Sequence, residues 1–562
     1  MPGRGRSRRD RNRAGAPPHG SRRNRRFQSS PRSREEKAGN VAAGEWPARE
    51  AVAELLREEL GFRGFRPTIE GEAREAAQWA ERESGPRRDL TALATFTVHP
   101  ATARDFDDAV SAQREGNGAR AWIHIADVAA HVKPGSLLDE EARRRANSTY
   151  VPGAVEPMLP HALSSEACSL APGVERLAVT TEIELGPGME PRGARFYRSH
   201  IRSDARLNYD QLDEIFAGRR RPPAEVAEPL AAAREIAAGL GEHRGTTTLD
   251  VESSEPEFEF DAEGNVVRAH GVAQTEAHRL IERLMILTNE QVARLLERER
   301  VPAIYRVHAQ PDAARIERLL EQLAALGVPT PPLRGGLAPS EAGRMAAEAS
   351  RLARREGERR GHGREAYTSL VLRSLKQAYY SERNIGHAGL GSPAYCHFTS
   401  PIRRYPDLVC HRALLALLGE GEEAPTLAQA RDAAAESSAR ERESAQIERS
   451  ADDVCAAHLL ARELGERGLD AVFEGEISGV IRSAAFVSFG GELGDVYEGM
   501  LPARRLPGDR YELDRAEVAL VGRGSGGRFN LGDPISVRVA GVDPSRGRAE
   551  LDLVGEESEE PR

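Results

Sequence analysis

Between residues 90 and about 185, short apolar runs alternate with turn residues. Residues 179–185 (Val-Thr-Thr-Glu-Ile-Glu-Leu) alternate apolar and polar positions, which predicts a half-exposed strand. Residues 196–201 have the pattern of its partner strand. This part of the chain is therefore predicted to form a sheet.

Helical spacing governs other parts of the chain. Residues 46–88 are charged and helical in pattern, and apolar stripes with helical periodicity follow at 280–295, 316–326 and 370–379. Residues 425–465 have the composition of a charged helical connector. The apolar stripes predict helices that pack against a core rather than cofactor-binding segments.

Strand-like runs return after residue 468. They occur at 471–475, 485–489 and 535–539, and Gly-rich turns separate them. Several short strands of this kind predict a five-stranded barrel of the OB type. The chain of 562 residues is thus long enough for two or three domains.

Charge is unevenly distributed along the chain. The net charge is −9, but residues 1–37 contain thirteen Arg or Lys against three Asp or Glu, so the remainder carries −19. Residues 1–45 are almost free of aliphatic residues, which predicts a disordered basic tail that serves either as an electrostatic tether for RNA or as a solubilising tail. An acidic body does not exclude nucleic-acid binding, because a local basic surface is sufficient.

Two features bear on location. The sequence has no run of about 18 apolar residues, so we expect no membrane span. The four cysteines contain no Cys-x-x-Cys pair, so neither a zinc site nor a disulfide framework is predicted. We expect a cytoplasmic protein that is a monomer.

Three carboxylates fall within four positions, at Asp105, Asp107 and Asp108. Like charges packed this closely repel one another, and a bound divalent cation neutralises them best. Phosphodiester hydrolysis needs charge neutralisation and an activated water, which carboxylate-bound Mg²⁺ supplies. An isolated Asp-x-Asp-Asp also fits an acidic surface turn, so the surrounding motifs decide between the two interpretations.

The surrounding motifs resemble those of the RNase II/RNB exoribonuclease family. The resemblance runs from about residue 90 to 419, and the barrel extends it to about 554. The motifs that carry it are, in order, Asp105-Phe106-Asp107-Asp108, His124-Ile125-Ala126-Asp127, Pro157-Met158-Leu159-Pro160 and His397-Phe398-Thr399-Ser400-Pro401-Ile402-Arg403-Arg404-Tyr405.

The resemblance implies an α+β fold. An RNB-type catalytic domain, in which helices surround a mixed sheet and form an RNA channel, would precede a C-terminal OB-type β-barrel, the S-one domain. The predicted boundaries are a disordered basic tail at 1–45, a helical lead-in segment at 46–89, the catalytic domain at 90–420, a helical connector at 421–467, the RNA-binding barrel at 468–555 and an acidic tail at 556–562. Many bacterial relatives place two cold-shock barrels before the catalytic domain, and this sequence has no room for them, so we expect weaker substrate capture.

The resemblance also assigns catalytic roles. Asp107, Asp108 and Arg403 are the expected catalytic residues, and Asp105 and Asp108 the expected metal ligands. Asp107 would lie close to the scissile nucleotide, and Arg403 would clamp a phosphate with two parallel hydrogen bonds.

His99 departs from the family pattern. Relatives carry a fourth aspartate six residues before the position of Asp105, where this chain has histidine. A neutral imidazole ligates Mn²⁺ but suits Mg²⁺ poorly. We therefore expect a Mg²⁺ enzyme with weakened or altered metal preference, with Mn²⁺ as the second metal and His99 as a candidate ligand. The other interpretation is a feeble or inactive site.

The resemblance further implies contacts to RNA. Tyr150 and Tyr305 match positions that stack on the terminal nucleotides, and Phe486 matches a stacking position on the barrel. Arg404 is a second arginine for phosphate, and Glu448 aligns with an acidic residue that lines the channel.

The sequence thus predicts a metal-dependent, processive 3′→5′ exoribonuclease that hydrolyses single-stranded RNA to nucleoside 5′-monophosphates and leaves a short oligonucleotide. Discrimination against DNA would come from contacts to the 2′-hydroxyl. The alternative is a non-catalytic or weakly active RNA-binding protein of the same fold, because His99 replaces a ligand aspartate.

Overall fold

The computed structural model describes residues 47–61, 64–82, 85–244, 255–272, 274–332, 337, 339–491 and 494–554. The predicted basic tail at 1–45 and acidic tail at 556–562 lie outside the described residues. No helix of the described ranges combines the length and the apolar character needed to cross a bilayer.

Helices and strands alternate through the first part of the chain, and strands dominate the last part. The helices are α1 (Ala48–Leu60), α2 (Pro67–Arg82), α3 (Val128–His131), α4 (Leu137–Arg145), α5 (Tyr209–Phe216), α6 (Ala227–Arg244), α7 (Glu276–Arg298), α8 (Ala313–Ala325), α9 (Pro339–Arg360), α10 (Arg364–Ser374), α11 (Tyr405–Leu417) and α12 (Leu427–Arg467). The strands are β1 (Arg88–Asp89), β2 (Phe96–Val98), β3 (Asp108–Glu115), β4 (Gly118–Ala126), β5 (Thr149–Val151), β6 (Ala154–Glu156), β7 (Glu175–Leu185), β8 (Pro191–Arg202), β9 (Ala205–Leu207), β10 (Glu255–Phe260), β11 (Val266–Val272), β12 (Tyr305–Val307), β13 (Tyr379–Ser381), β14 (Val472–Ile481), β15 (Ala484–Gly491), β16 (Gly494–Pro502), β17 (Tyr511–Leu513), β18 (Ala519–Gly522), β19 (Arg528–Asn530), β20 (Pro534–Asp543) and β21 (Arg548–Leu553).

The central element is a seven-stranded mixed sheet in the order β1-β8-β7-β4-β3-β2-β9. The inner pairs are antiparallel, and the two edge strands β1 and β9 pair in parallel with their neighbours. Thr181 on β7 lies opposite Phe196 on β8, so the strand partners predicted from the sequence are confirmed. The acidic motif lies at the start of β3, one of the inner strands of this sheet.

The prediction of a half-exposed strand at 179–185 is wrong in its exposure, because Val179 through Ile183 are buried. The polar side chains of this strand find partners inside the protein. Thr180 Oγ1 lies 2.9 Å from His124 Nδ1 and 2.6 Å from Ser199 Oγ, and Glu182 accepts a hydrogen bond from Arg120 at 2.6 Å. The polar positions therefore mark an internal hydrogen-bond network rather than a solvent-facing side.

The motif residues His124 and Asp127 are structural. Burial lowers the pKa of His124 to about 3, so its ring is neutral within the network. Asp127 is fully buried and accepts from Arg87 Nη2 at 2.7 Å and from Arg198 Nε at 2.9 Å. Its second oxygen accepts from the backbone N–H of Ala130 and caps α3. This pairing holds the end of β4 in place.

Two of the three predicted apolar stripes form helices with buried stripes, α7 and α8. The third prediction, over 370–379, holds only in part. Helix α10 ends at Ser374 because Leu375 adopts an extended conformation, and Tyr379 belongs to β13. Leu372 is exposed, so it does not belong to a core stripe.

Helix α12 lies within the predicted connector at 421–467 and packs against two apolar cores. Its first turns bury Ala430, Ala433 and Ala434 in the core around the sheet. Its later turns, from Ile447 to Leu464, enter a second core that the barrel shares with α1 and the β10–β11 hairpin. One helix therefore fixes the barrel to the sheet domain.

The predicted barrel is confirmed as a closed five-stranded unit in the order β14-β15-β16-β21-β20. The segment between β16 and β20 adds a small sheet, β17-β18-β19. Helices α8, α9 and α10 form a three-helix unit with its own apolar core, which Val518 and Leu531 of that segment complete.

Candidate active site

The acidic motif is held by backbone hydrogen bonds on both sides. Phe106 N–H donates to Ser169 Oγ at 3.0 Å, and the Phe106 carbonyl accepts from Leu170 N–H at 2.9 Å. The Asp107 carbonyl accepts from Ala126 N–H at 2.9 Å, which extends the β3–β4 pairing. The backbone therefore fixes where the carboxylates point.

The Asp107 carboxylate is buried and meets the loop that follows residue 400. Its Oδ1 accepts from Ile402 N–H at 2.8 Å. Its Oδ2 accepts no hydrogen bond and lies 3.6 Å from Arg403 Nε, which is ion-pair distance but too far for a hydrogen bond. Burial raises the pKa of Asp107 well above its usual range, and the Arg403 charge opposes this.

Asp108 presents a second buried carboxylate oxygen. Its Oδ2 has no hydrogen-bond partner, and burial raises the pKa of this carboxyl group despite the nearby His99 and Arg403. Buried carboxylate oxygens without partners are costly in a protein that binds no cation. Asp107 and Asp108 therefore offer the oxygen donors that Mg²⁺ prefers.

The remaining predicted ligands are turned to other partners. Asp105 Oδ2 accepts a hydrogen bond from the Tyr150 hydroxyl at 2.7 Å. His99 Nε2 lies 3.2 Å from the Asp108 carbonyl oxygen and 3.9 Å from its Oδ1. A carbonyl can only accept, so Nε2 carries the proton and has no lone pair for a metal. Within the described part of the chain, no three His, Cys, Asp or Glu side chains form a ready ligand set.

Arg206 fastens the loop that leads to the acidic motif. Its Nη2 donates to three carbonyl oxygens, those of Pro100 at 3.2 Å, Ala101 at 2.8 Å and Ala103 at 3.2 Å. Its guanidinium also lies 4.8 Å from the centre of the Phe106 ring. One side chain of β9 therefore sets the path of the loop from which Asp105 projects.

The two arginines of the second motif have different environments. The Arg403 side chain is 44% exposed, and Nη2 lies 3.3 Å from Ser400 Oγ. Arg404 instead donates twice to the buried Asp407, at 2.9 and 2.7 Å, and Asp407 Oδ1 also accepts from Ser400 N–H. The exposed guanidinium of Arg403 can bind a phosphate. Arg404 was predicted to contact RNA, but in this structure its guanidinium is hydrogen-bonded to Asp407 and stabilises the loop.

The predicted aromatic positions do not form one cluster. Tyr150 is 40% exposed beside the carboxylates, and its backbone N–H donates to Glu448 Oε1 at 3.0 Å, so Glu448 does reach the site. Tyr305 is only 5% exposed in β12, so its ring has no free face for a base in this structure, and its stacking role stays a prediction. Phe486 lies on β15 of the barrel, opposite Met500.

Sequence reasoning missed Tyr209. Burial raises its phenol pKa to about 12, the Asp108 charge adds to the shift and Arg403 opposes it, so the phenol lies within electrostatic range of the site. Its ring stacks on His278 with centroids 3.9 Å apart. The local sequence signal here is the capping box of Asn208 and Gln211, in which Asn208 directly precedes the first residue of α5. A capping box predicts a helix start and does not indicate a functional site.

The fold and the site define a class: an α+β protein in which a mixed sheet carries clustered carboxylates and a long helix joins it to an OB-type barrel. The RNB domain family model matches residues 87–420. The chain belongs to the RNB domain family.

Known proteins resemble the chain beyond this domain. Ribonuclease R of Escherichia coli (strain K12) is 34% identical over 496 residues, which cover 85% of this chain and 58% of that protein. The chain therefore spans somewhat more than half the length of this curated relative.

Solved structures give the same picture. Mycoplasma genitalium RNase R in complex with ribose-methylated single-stranded RNA has a TM-score of 0.80 at 26% identity and covers 90% of this chain and 77% of that chain. Yeast Ssd1, described as a pseudonuclease, has a TM-score of 0.60 at 20% identity over 79% of this chain and 54% of that one. The second likeness concerns the fold alone.

Proposed function

We propose that the chain is a metal-dependent, processive 3′→5′ exoribonuclease that hydrolyses single-stranded RNA to nucleoside 5′-monophosphates. The observation that carries the proposal is the pair of buried, unpartnered Oδ2 atoms of Asp107 and Asp108 beside the exposed guanidinium of Arg403. The similarity to Ribonuclease R, and to RNase R solved with single-stranded RNA, supports the substrate class.

In the proposed reaction, water attacks the phosphorus of the last internucleotide linkage. The bond from phosphorus to the 3′-oxygen of the penultimate nucleotide breaks, that oxygen takes up a proton, and the released nucleotide keeps its 5′-phosphate. Arg403 stabilises charge on the phosphate, since its guanidinium is exposed and faces Asp107. The Ile402 N–H holds Asp107 Oδ1, so Oδ2 stays without a hydrogen-bond partner and available to a cation.

The proposed cofactor is Mg²⁺, with Mn²⁺ as the second candidate. Bound Mg²⁺ would neutralise phosphate charge and lower the pKa of a water. Asp107 and Asp108 would hold it through the oxygens that lack partners, and Asp105 would join them by releasing the Tyr150 hydroxyl. Tyr150 would then be free to stack on a base, while Glu448 keeps its backbone in place.

The test uses a single-stranded RNA with Mg²⁺ or Mn²⁺: a 5′-end label reports its length, and a uniform label reports the release of nucleoside 5′-monophosphates. The parent should shorten the RNA stepwise from its 3′ end, and EDTA should stop it. Asp107→Asn should still bind RNA but lose turnover. Cleavage at internal positions, equal degradation of matched DNA, or activity that survives both EDTA and Asp107→Asn would contradict the proposal.

A second candidate is a non-catalytic or weakly active RNA-binding protein. The observation that favours it is His99, whose Nε2 lies 3.2 Å from the Asp108 carbonyl oxygen. The family resemblance implies an aspartate at this position, so the site would have one carboxylate fewer. The same assay separates the two, because this candidate predicts RNA binding without mononucleotide release in either metal. A cytoplasmic location belongs to both proposals, and it agrees with four cysteines that are all buried free thiols.

A further inference from the structure

The three-helix unit and the barrel are joined directly, and the seam between them leaves a groove. Arg318 Nη2 donates to the Arg515 carbonyl at 2.9 Å, and Gln322 Nε2 donates to the Ala516 carbonyl at 3.0 Å. Beside these bonds lies a cavity of about 580 Å³ between α8, α10 and the end of β14, which we call the seam groove. Its lining includes Arg315, Leu370, Arg373, Ile481, Arg482 and Leu531, and none of the catalytic side chains.

Positive charge dominates the walls of the seam groove. Four arginines line it against one carboxylate, that of Glu517, which gives a lining charge of +3. Arg318 is paired, since it lies 3.5 Å from Glu517. Arg315, Arg373 and Arg482 are exposed, and in the described part of the chain they form no ion pair with a carboxylate. The groove therefore offers three guanidinium groups to a ligand that carries several negative charges.

The floor between these walls is apolar and open. Ile481 is exposed at the end of β14, and Val480 beside it also lines the groove. Leu370 of α10 and Leu531 contribute from the opposite sides. An extended peptide can lie on such a floor while its acidic side chains reach the arginines. The groove thus fits a short acidic segment of protein.

The last strand of the barrel points toward this groove. Strand β21 lies antiparallel to β20, and the N–H of Val554 donates to the Ser536 carbonyl at 3.1 Å. A chain that continues in the direction of β21 therefore passes the start of β20 at Pro534. Leu531, three residues before Pro534, lines the groove. Strand β14, on the other side of β20, runs the same way and ends at Ile481 in the groove.

The residues that follow Val554 are acidic and long enough to reach the groove. Residues 556–560 read Glu-Glu-Ser-Glu-Glu and lie outside the described residues. Ser536 and Leu531 are five positions apart in the sequence, so their Cα atoms are separated by at most about 18 Å. An extended chain advances about 3.3 Å per residue, so the acidic run spans from about 7 Å to about 20 Å past Val554. The length of the segment therefore matches the distance to the groove.

We propose that the acidic segment 556–560 of this chain docks into the seam groove, with its carboxylates on Arg315, Arg373 and Arg482. The two are complementary, since four carboxylates meet a lining charge of +3. Guanidinium groups pair with carboxylates through two parallel hydrogen bonds. Because the segment is tethered to β21, the contact is intramolecular and competes with free polyanions for the groove. The inference does not rest on the proposed nuclease function.

The test follows a fluorophore on the acidic segment of the full chain. The four native cysteines are buried, so Ser558→Cys provides a selective attachment point. Fluorescence anisotropy should be high at low NaCl and fall at high NaCl, because salt screens the ion pairs. In the groove variant Arg315→Ala/Arg373→Ala/Arg482→Ala, the anisotropy at low salt should already equal the high-salt value of the parent. The three side chains are exposed, so this variant should keep the fold.

A matched control removes the same charge elsewhere. Arg219, Arg220 and Arg221 are exposed and lie outside the groove. Their triple alanine variant should show the anisotropy and the salt dependence of the parent. An equal loss of anisotropy in this control would indicate general electrostatic attraction and would overturn the inference.

Two further measurements address the contact itself. Replacing Glu556, Glu557, Glu559 and Glu560 by glutamine should lower the anisotropy as much as the groove variant does. Combining both sets of substitutions should lower it no further, because each set removes the same contact. A photo-crosslinking residue in place of Ile481 should join the acidic segment of the same chain, which mass spectrometry of the digested monomer detects.

Several outcomes would overturn the inference. One is an anisotropy that responds neither to salt nor to the groove variant. Another is additive losses when the arginine and glutamate substitutions are combined. Crosslinks from position 481 that join two chains, or that join a different segment of the same chain, would assign the groove to another occupant. A chain without exoribonuclease activity would refute only the proposed function, because none of these measurements uses turnover.

Discussion

The substitution His99→Asp separates the two candidate functions most directly. It would restore a fourth carboxylate beside Asp108 and remove the hydrogen bond from His99 Nε2 to the Asp108 carbonyl. In the absence of a divalent cation the new negative charge should destabilise the protein. In the presence of Mg²⁺ the same charge should tighten cation binding.

The geometry gives the size of both effects. The ring nitrogen of His99 lies 3.9 Å from Asp108 Oδ1, and both side chains are largely buried. Two unit charges about 4 Å apart interact by about 4 kcal/mol at an effective dielectric constant near 20. The shorter aspartate side chain and residual solvent reduce this to about 2 kcal/mol, which corresponds to at least a tenfold gain in Mg²⁺ affinity when a cation relieves the repulsion.

Calorimetric titration with Mg²⁺ and Mn²⁺ and denaturant unfolding in EDTA measure these effects without relying on turnover. The control is His161→Asp, which adds the same charge at an exposed histidine outside the site. The His99→Asp variant should be less stable than both other proteins in EDTA and should regain stability with Mg²⁺. Equal stability in EDTA together with unchanged Mg²⁺ affinity would show that the side chain at this position does not face the metal site.

Substitutions at four other positions test the roles assigned to individual side chains. Arg206→Ala should weaken Mn²⁺ affinity severalfold by calorimetry while Arg206→Lys has an intermediate effect, and equal affinities would refute the loop-fastening role. Arg403→Ala should abolish turnover with little change in the free energy of unfolding. Arg404→Ala should lower the free energy of unfolding by about 3–5 kcal/mol, because it leaves the buried Asp407 carboxylate without its ion pair. Denaturant unfolding and single-turnover assays distinguish the two variants. Asp127→Asn should lower stability at pH 7 by about 2 kcal/mol. Burial opposes ionisation of Asp127, but its two arginine partners lower the pKa to about 2. The parent should therefore be more stable than the variant above pH 4, and this difference in unfolding free energy should disappear as pH falls through about 2. A difference that does not depend on pH would contradict this.

Much of the fold was predictable because local periodicity determines it. The strand pair at 179–185 and 196–201, the helices α7 and α8, and the closed barrel all follow from the spacing of apolar residues. Exposure was not predictable in the same way. Thr180 and Glu182 are polar in the sequence, but their partners come from neighbouring strands, and only the tertiary structure brings those partners together.

The two predicted stacking tyrosines show the same limit at the site. Tyr150 and Tyr305 both lie in short strands, β5 and β12, and the family resemblance predicted the same stacking role for both. Tyr305 is buried in the main core, whereas Tyr150 projects toward Asp105. Tyr209, at the start of α5 and without a motif, lies within electrostatic range of Asp108. Sequence motifs identified the loops of the site, but not which side chains of those loops reach it.

The site depends on a junction between two loops that are each fixed separately. Ser169 and Arg206 hold the acidic loop, and Asp407 holds the second loop. Neither set of hydrogen bonds involves the contact between the two loops. The hydrogen bond from Ile402 N–H to Asp107 Oδ1 joins positions 295 residues apart in the chain. Because each loop has its own hydrogen bonds, a small shift at this junction should change the separation between the carboxylate and the guanidinium without unfolding either loop. The rate of the proposed reaction should therefore be more sensitive than stability to substitutions at the junction.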